Sequence, residues 1–249
     1  MAVLALGGRR TIDAPIFVIG LATLVAAAML LPPAYLVVRV FGSEGTLWEV
    51  VRASSTTNAL LRTCLLAAAV TGGAIAIAVP AGWLTARSDL PLRGIWSVLL
   101  VLPLAFPSYV GAFAFVSAVG PRGMLQDVLE PLGVERLPEI YGFGGAWLVL
   151  TLFTFPYVLL PVRAALRGMD RSQEEAARGL GKSSWETFVR VTLPQLRPAI
   201  AAGGLLVALY TLSDFGAVSI LRFDSLTRII YLEYTSSFDR SAAAALGLL

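Results

Sequence analysis

Ser172-Gln-Glu-Glu-Ala-Ala-Arg-Gly-Leu-Gly-Lys-Ser-Ser-Trp-Glu-Thr-Phe-Val-Arg-Val-Thr-Leu-Pro194 is a polar, well-punctuated stretch between two long runs that carry almost no charge. Ser172 with Glu175, and Ser183 with Glu186, each have the Ser-x-x-Glu spacing of a capping box, so the spacing predicts two short helices. Gly179 and Gly181 fall between them and permit a sharp turn. In the second helix Trp185, Phe188, Val189 and Thr192 share one face, and Glu186 pairs with Arg190 at i,i+4 on another. Leu193-Pro194 is expected to close that helix, and Pro198 to open the next apolar run. A folded helix-turn-helix with Ala176-Ala177 small enough for close approach suits a docking element for a partner. An amphipathic loop lying on lipid headgroups fits the same pattern.

The flanking runs decide the fold class. A charge at the bilayer centre costs about 2.5–3.5 kcal/mol, and about 20 apolar residues of helix cross the hydrocarbon. Upstream, Ile140 to Val162 contains no Asp, Glu, Lys or Arg; downstream, Pro198 to Leu221 contains only Asp214. Ala14 to Val38, Thr63 to Ala86 and Gly94 to Pro121 are three more charge-free runs. The expected fold is therefore all-α and polytopic, with five complete spans. Residues 1–56 supply an N-terminal tail, the first span and an outer loop. Residues 57–249 supply a transmembrane core with spans near 60–86, 94–120, 140–162 and 198–221 and a polar loop at 163–197. Ser241 to Leu249 is apolar but too short to cross, which reads as the start of a sixth helix in a fragment of a longer polypeptide.

Composition agrees. Of the 249 residues 57% are apolar or aromatic and 14% charged, against about 25% charged in soluble domains, and mean hydropathy is +0.78. There is no histidine, which removes Ser-His-Asp and Cys-His nucleophiles, imidazole metal ligands and imidazole general bases. A lone intramembrane carboxylate cannot form an aspartyl dyad. No enzyme chemistry, resident cofactor or metal site is expected. Cys64 has no disulfide partner and reads as a small packing residue. A net charge of +3, scattered along the chain, gives no nucleic-acid footprint. Met1 to Arg10 and the apolar run after it read as a retained anchor, because the run is too long for a signal peptide.

With the N-terminus in the cytoplasm, the inside segments 1–13, 87–93 and 163–197 hold 11 Lys and Arg and the outside segments hold 8. That orientation follows the positive-inside rule. Pro32-Pro33, Pro80, Pro103 with Pro107, Pro156 with Pro161, and Gly203-Gly204 are expected to interrupt the spans. Bent helices lining a pathway and the ordinary abundance of Gly and Pro in membranes both account for them. Asp214 has two readings: a pathway group acting with Tyr210 and Ser213, or a carboxylate near the outer surface, hydrated or paired with Arg222. The outer loop 120–139 reads either as a contact for a substrate-delivering protein or as a solvated connector.

Glu175-Ala176-Ala177, Gly181 and Val191-Thr192-Leu193-Pro194, at these spacings, resemble the EAA loop of ABC importer permeases of the binding-protein-dependent type, with Val191 where the family usually has Ile. The resemblance implies that the loop inserts into a cleft of an ABC ATPase subunit. Glu175 would face that cleft, Gly181 would set the turn, and Leu193-Pro194 would join the loop to the fifth span. Gly181-Lys182-Ser183 is similar to the end of a phosphate-binding loop, but Ala176 replaces the earlier glycine and no strand precedes it. ATP would thus be bound and hydrolysed by the separate subunit. Leu102-Pro-Leu-Ala-Phe-Pro-Ser-Tyr-Val-Gly111, Thr154-Phe-Pro-Tyr-Val-Leu-Leu-Pro161, Ser213-Asp-Phe-Gly-Ala-Val218 and Ser237-Phe-Asp-Arg-Ser-Ala242 resemble the ferric-iron, thiamine and aminoethylphosphonate branch. That branch implies a bacterial inner-membrane permease and ferric iron or a related small solute as substrate. It also implies a periplasmic or extracellular binding protein and a second permease half in the same full-length chain, all set in membrane lipid. The rival reading is an ion-driven secondary transporter or channel, which calls for buried ionisable relays and inverted repeats.

Overall fold

The computed structural model describes residues 16–41, 53–121, 123–130, 139–236 and 241–248, and the regular elements among them are all helical. The N-terminal tail, residues 42–52 of the first outer loop, residues 122 and 131–138 of the outer loop 120–139, and the segment 237–240 lie outside the described residues. In chain order the helices are α1 (Ile16–Phe41), α2 (Ser54–Arg87), α3 (Arg93–Leu99), α4 (Ser108–Val119), α5 (Met124–Leu129) and α6 (Phe143–Gly168). They continue as α7 (Ser172–Gly179), α8 (Ser184–Thr187), α9 (Leu193–Ser213), α10 (Gly216–Ile220), α11 (Leu226–Ser236) and α12 (Ser241–Gly247). A 3-10 turn spans Leu102–Ala105, and a π turn, Phe188–Thr192, joins α8 to α9.

Prolines do not break most of the spans. Helix α1 runs through Pro32 and Pro33, α2 through Pro80, and α6 through Pro156 and Pro161. In lipid the backbone has no alternative partner, so a helix survives one missing hydrogen bond more readily than it unwinds. The charge-free run Gly94–Pro121 is different. Its helical halves, Arg93–Ala105 and Ser108–Gln126, meet at 101°. Phe106, ahead of Pro107, is extended at φ −112° and ψ 132°, the conformation a following proline imposes. Four helical segments among the described residues are long and apolar enough to cross a membrane, and a fifth crossing requires counting that bent pair as one.

Three expectations about the last span need correction. Leu193-Pro194 does not close the second loop helix, and Pro198 does not open the span: Ser184–Ser213 is one helical segment. Pro194 would clash with the carbonyl of Arg190 in a regular α-turn, and the π turn widens the helix just where that clash would fall. Gly203-Gly204 is not an interruption either, because α9 is continuous across it. A Cβ on Gly203 would lie 2.6 Å from the Cα of Val158 and 2.8 Å from the carbonyl oxygen of Tyr157, so the glycine lets the α9 and α6 backbones touch.

Helix α6 is the centre of the bundle, packed along both α2 and α9. Leu66, Val70, Ala74 and Ala78 of α2 meet Val149, Leu150, Val158, Leu159, Val162 and Leu166 of α6, with Leu196 and Val207 of α9, all buried. Lipid is as apolar as leucine, so association here depends on close packing of small residues more than on hydrophobic transfer. Arg163 of α6 donates to the hydroxyl of Ser97 at 2.8 Å, tying α3 to the bundle. Helix α1 leaves its apolar stretch exposed and meets α12 through Leu36 and Val40 against Ala244 and Ala245.

Candidate functional site

The polar loop is a folded helix pair. The Ser172–Glu175 capping box is absent: the Ser172 hydroxyl donates to Asp170 at 2.7 Å instead, and Asp170 also accepts the Ser172 amide at 2.9 Å. These bonds hold the Asp170 carboxyl below its ordinary pKa, since they favour the charged form. The C-terminus of α7 is a Schellman turn. The Gly181 amide reaches the Arg178 carbonyl at 2.9 Å, the Lys182 amide reaches the Ala177 carbonyl at 3.2 Å, and Gly181 sits at φ +82°. Gly179 is the last residue of α7 and does not bear the turn. The second capping box is present: the Glu186 amide donates to Ser183 Oγ at 3.2 Å and the Ser183 amide to Glu186 Oε2 at 3.4 Å. Glu186 also lies 3.9 Å from Arg190.

The predicted apolar face is split between two directions. Phe188 and Thr192 are buried, Phe188 against the Trp83 ring of α2 at 5.5 Å. Trp185 and Val189 face outward, and Leu180 at the turn is 84% exposed. Glu175, Ala176 and Gly181 are exposed, Ala177 is buried, and Val191, Leu193 and Pro194 are half-buried. The loop thus presents one carboxylate, a tight turn and two bare apolar side chains away from the bundle. Its other side is packed onto α2.

Of the three candidate pathway residues, the structure does not bring the polar groups together. Asp214 is buried, and its Oδ1 accepts the amides of Ala217 and Val218 at 3.0 and 3.2 Å, capping the start of α10. Its Oδ2 accepts the hydroxyl of Ser108, at the start of α4, at 2.5 Å. The carboxylate is neither hydrated at a surface nor paired with Arg222, which lies 4.7 Å over the Tyr141 ring. Ser213 is exposed and donates to the carbonyl of Tyr210 at 3.0 Å, while the Tyr210 ring leans on Tyr157.

Residues 78–249 match the family of binding-protein-dependent transport system inner membrane components. The chain belongs to this family. Among relatives of this permease family, the Fe(3+)-transport system permease protein FbpB 2 of Haemophilus influenzae is 37% identical over 187 residues, covering 75% of this chain and 33% of its own length. The molybdenum transport system permease protein ModB of Escherichia coli K12 is 32% identical over 163 residues, covering 61% and 68%. The chain therefore spans about a third of the length of the first relative and about two thirds of the second. A solved bacterial alginate ABC transporter, in complex with an alginate pentasaccharide-bound periplasmic protein, shares the fold with a TM-score of 0.71 at 15% identity, over 94% of this chain and 87% of its own.

Membership in the permease family sets aside the ion-driven transporter or channel. It also bears out the ABC permease resemblance read from Glu175 to Pro194. Sequence reasoning missed two groups on this loop. Leu180 is an apolar side chain at its exposed tip, beside Trp185, which the sequence placed on the helix's apolar face without showing that it turns outward. Glu174, beside the motif acid, is the loop's buried carboxylate; a helix advances by about 100° per residue, so adjacent glutamates had to face different surroundings.

Proposed function

We propose that the chain forms part of the substrate pathway of an ATP-driven importer and that residues 172–194 dock it to a separate ATPase subunit. The observation that carries this reading is the exposed Glu175-Ala176, Gly181 turn and Leu180–Trp185 tip standing off a loop whose inner face is packed onto α2. Glu175 meets a polar or basic cleft, Leu180 and Trp185 fill apolar ground beside it, and Ala177 lets α7 lie close. Val191, Leu193 and Pro194 run from the loop into the span without a break, so displacement of the loop tilts α9. ATP binding and hydrolysis belong to the partner, and the permease does no covalent chemistry.

The N-terminus and residues 163–197 lie on the cytoplasmic side of the inner membrane. The bent pair α3 and α4 counts as one crossing, which makes five complete spans, with α12 beginning a sixth. A binding protein delivers the substrate to the opposite side, and a second permease half completes the pathway. Ferric iron is the substrate best supported, through the 37% identity to the iron permease; the molybdenum relative keeps oxyanions in the comparison. For Asp214, whose oxygens are occupied by Ser108 and two amides, an anchor between α4, α9 and α10 is favoured over substrate contact.

Glu175→Lys and Gly181→Pro should each abolish transport-coupled ATP hydrolysis while the protein still inserts in the membrane. Stimulated hydrolysis at the parent rate in either variant would defeat the coupling role.

A further inference from the structure

Glu174 stands where the loop meets the bundle. Its Oε1 accepts the hydroxyl of Thr192 at 3.0 Å, so α7 is held to the π turn that leads into α9. The same oxygen lies 3.8 Å from Nε of Arg87, at the last turn of α2, and the two side chains are only 5% and 10% exposed. Arg87 in turn donates to the carbonyls of Leu166 and Met169 at 2.7 and 3.0 Å, at the end of α6. Those carbonyls have no partner within the helix ladder, and a cation at a helix C-terminus meets the negative end of its dipole. One carboxylate and one guanidinium therefore join four elements, α2, α6, α7 and the π turn that leads into α9. Beside them Gln195 Nε2 donates to Gln173 Oε1 at 2.8 Å, a second bond from α9 to α7.

Burial makes this joint stiff. At 3.8 Å the Arg87–Glu174 contact is an ion pair and not a hydrogen bond, and parting it leaves an uncompensated charge in a low-dielectric site; the charge-assisted hydrogen bonds of the joint are those from Thr192 to Glu174 and from Arg87 to the two carbonyls. The π turn adds the other half of the device, because it is the irregular, widened point at which the loop helix would otherwise bend away from the span. Thr192 is the last residue of that turn. Its bond to Glu174 splints the segment at that place.

We infer that Glu174 is a positioning residue that makes the loop and the cytoplasmic ends of α2, α6 and α9 move as one body, while Glu175 is left free to meet the partner. This rests on the ATPase-docking reading of residues 172–194. Without the joint, a push on α7 would be absorbed by bending at the π turn.

The test uses the permease assembled with its ATPase, in lipid nanodiscs and on a Cys64→Ser background. Spin labels at Asp89→Cys, just beyond α2, and Arg178→Cys, on α7, report the loop-to-span distance by pulsed electron resonance. That distance should be the same without nucleotide and after trapping with ATP and vanadate. In Glu174→Gln and in Thr192→Val it should match the parent without nucleotide and then shift or broaden on trapping; Thr192→Ser, which keeps the hydroxyl, should behave as the parent. A parent distance that changes on trapping overturns the proposal, as do variants that stay fixed. So does a shift already present without nucleotide, which would mark Glu174 as a simple packing group. Co-purification keeps the underlying reading separate. If Glu175→Lys still retains the ATPase and its stimulated hydrolysis, the docking assignment fails; if it loses them while the distances stay fixed in all variants, only the joint fails.

Discussion

Gly181 occupies φ +82°, where a residue with a Cβ is penalised by about 1–2 kcal/mol. Open space surrounds the glycine, so the penalty of a side chain there is backbone strain and not collision. Gly181→Ala should therefore assemble normally and lower stimulated ATP hydrolysis less than Gly181→Pro, in an assay of the reconstituted complex. Asp170 gives a pH prediction of defined sign. Its carboxyl is held below the ordinary 3.8 by bonds made only in the folded loop, so the stability it adds is present above that value and lost as pH falls through the lowered one. Hydrogen exchange of the α7 amides should accordingly stay protected at mildly acid pH, and Asp170→Ala should remove that protection at neutral pH. Asp214→Asn keeps an oxygen for Ala217 and Val218, and should leave uptake intact. Asp214→Leu strands three donors and should lower stability by about 1–3 kcal/mol for each one left buried and unsatisfied, read from thermal unfolding in detergent.

Helices α2, α6 and α9 owe their contact to side chains that are missing as much as to those present. Gly203 is the sharpest instance, since its hydrogen faces the α6 backbone itself. Gly203→Ala should push α9 off α6 and cost about 1–3 kcal/mol, the usual penalty for overpacking, measured as a lower unfolding temperature in detergent. The neighbouring Gly204 meets only side-chain atoms of Thr71 and Ile75, at 3.3 and 3.5 Å, so alanine there should be milder. The loop helices show the same dependence on context. The Ser183–Glu186 box was readable because both partners are local. The Ser172–Glu175 box is absent because Ser172 is already the first residue of α7 and the Glu175 amide donates to the Arg171 carbonyl at 3.0 Å, while Asp170, two residues upstream, accepts from both the amide and the hydroxyl of Ser172.

Across the whole bundle the two polar ends differ. One gathers Arg87, Arg163, Glu174 and the folded loop; the other holds the buried Asp214 with Ser108, and the Tyr141–Arg222 stack. A cysteine replacing the exposed Arg190 should react with a membrane-impermeant maleimide only from the cytoplasmic face, and one replacing the exposed Glu130 only from the outer face. Labelling in the reverse sense would invert the proposed topology. Apolar side chains such as Leu205, Leu206 and Leu209 on α9 remain exposed in the single chain, a surface suited to lipid or to another apolar helix.

Charge spacing alone settles that this is a helical membrane chain, because placing an ion in hydrocarbon is costly enough to mark span after span. Local hydrogen-bond grammar likewise reveals the Gly181 turn, and the spacing from Glu175 to Pro194 reveals the family. The bend in the third apolar run was legible in Pro103 and Pro107, whereas the passage of α2 and α6 through their prolines and the joining of the loop helix to α9 were not. Each depends on which neighbours stand ready to satisfy or to crowd a backbone group. The roles of Glu174 and Asp214 were hidden for the same reason: a carboxylate's work is set by the donors around it. Here those donors come from residues up to 106 positions away in the chain, which only folding brings within reach.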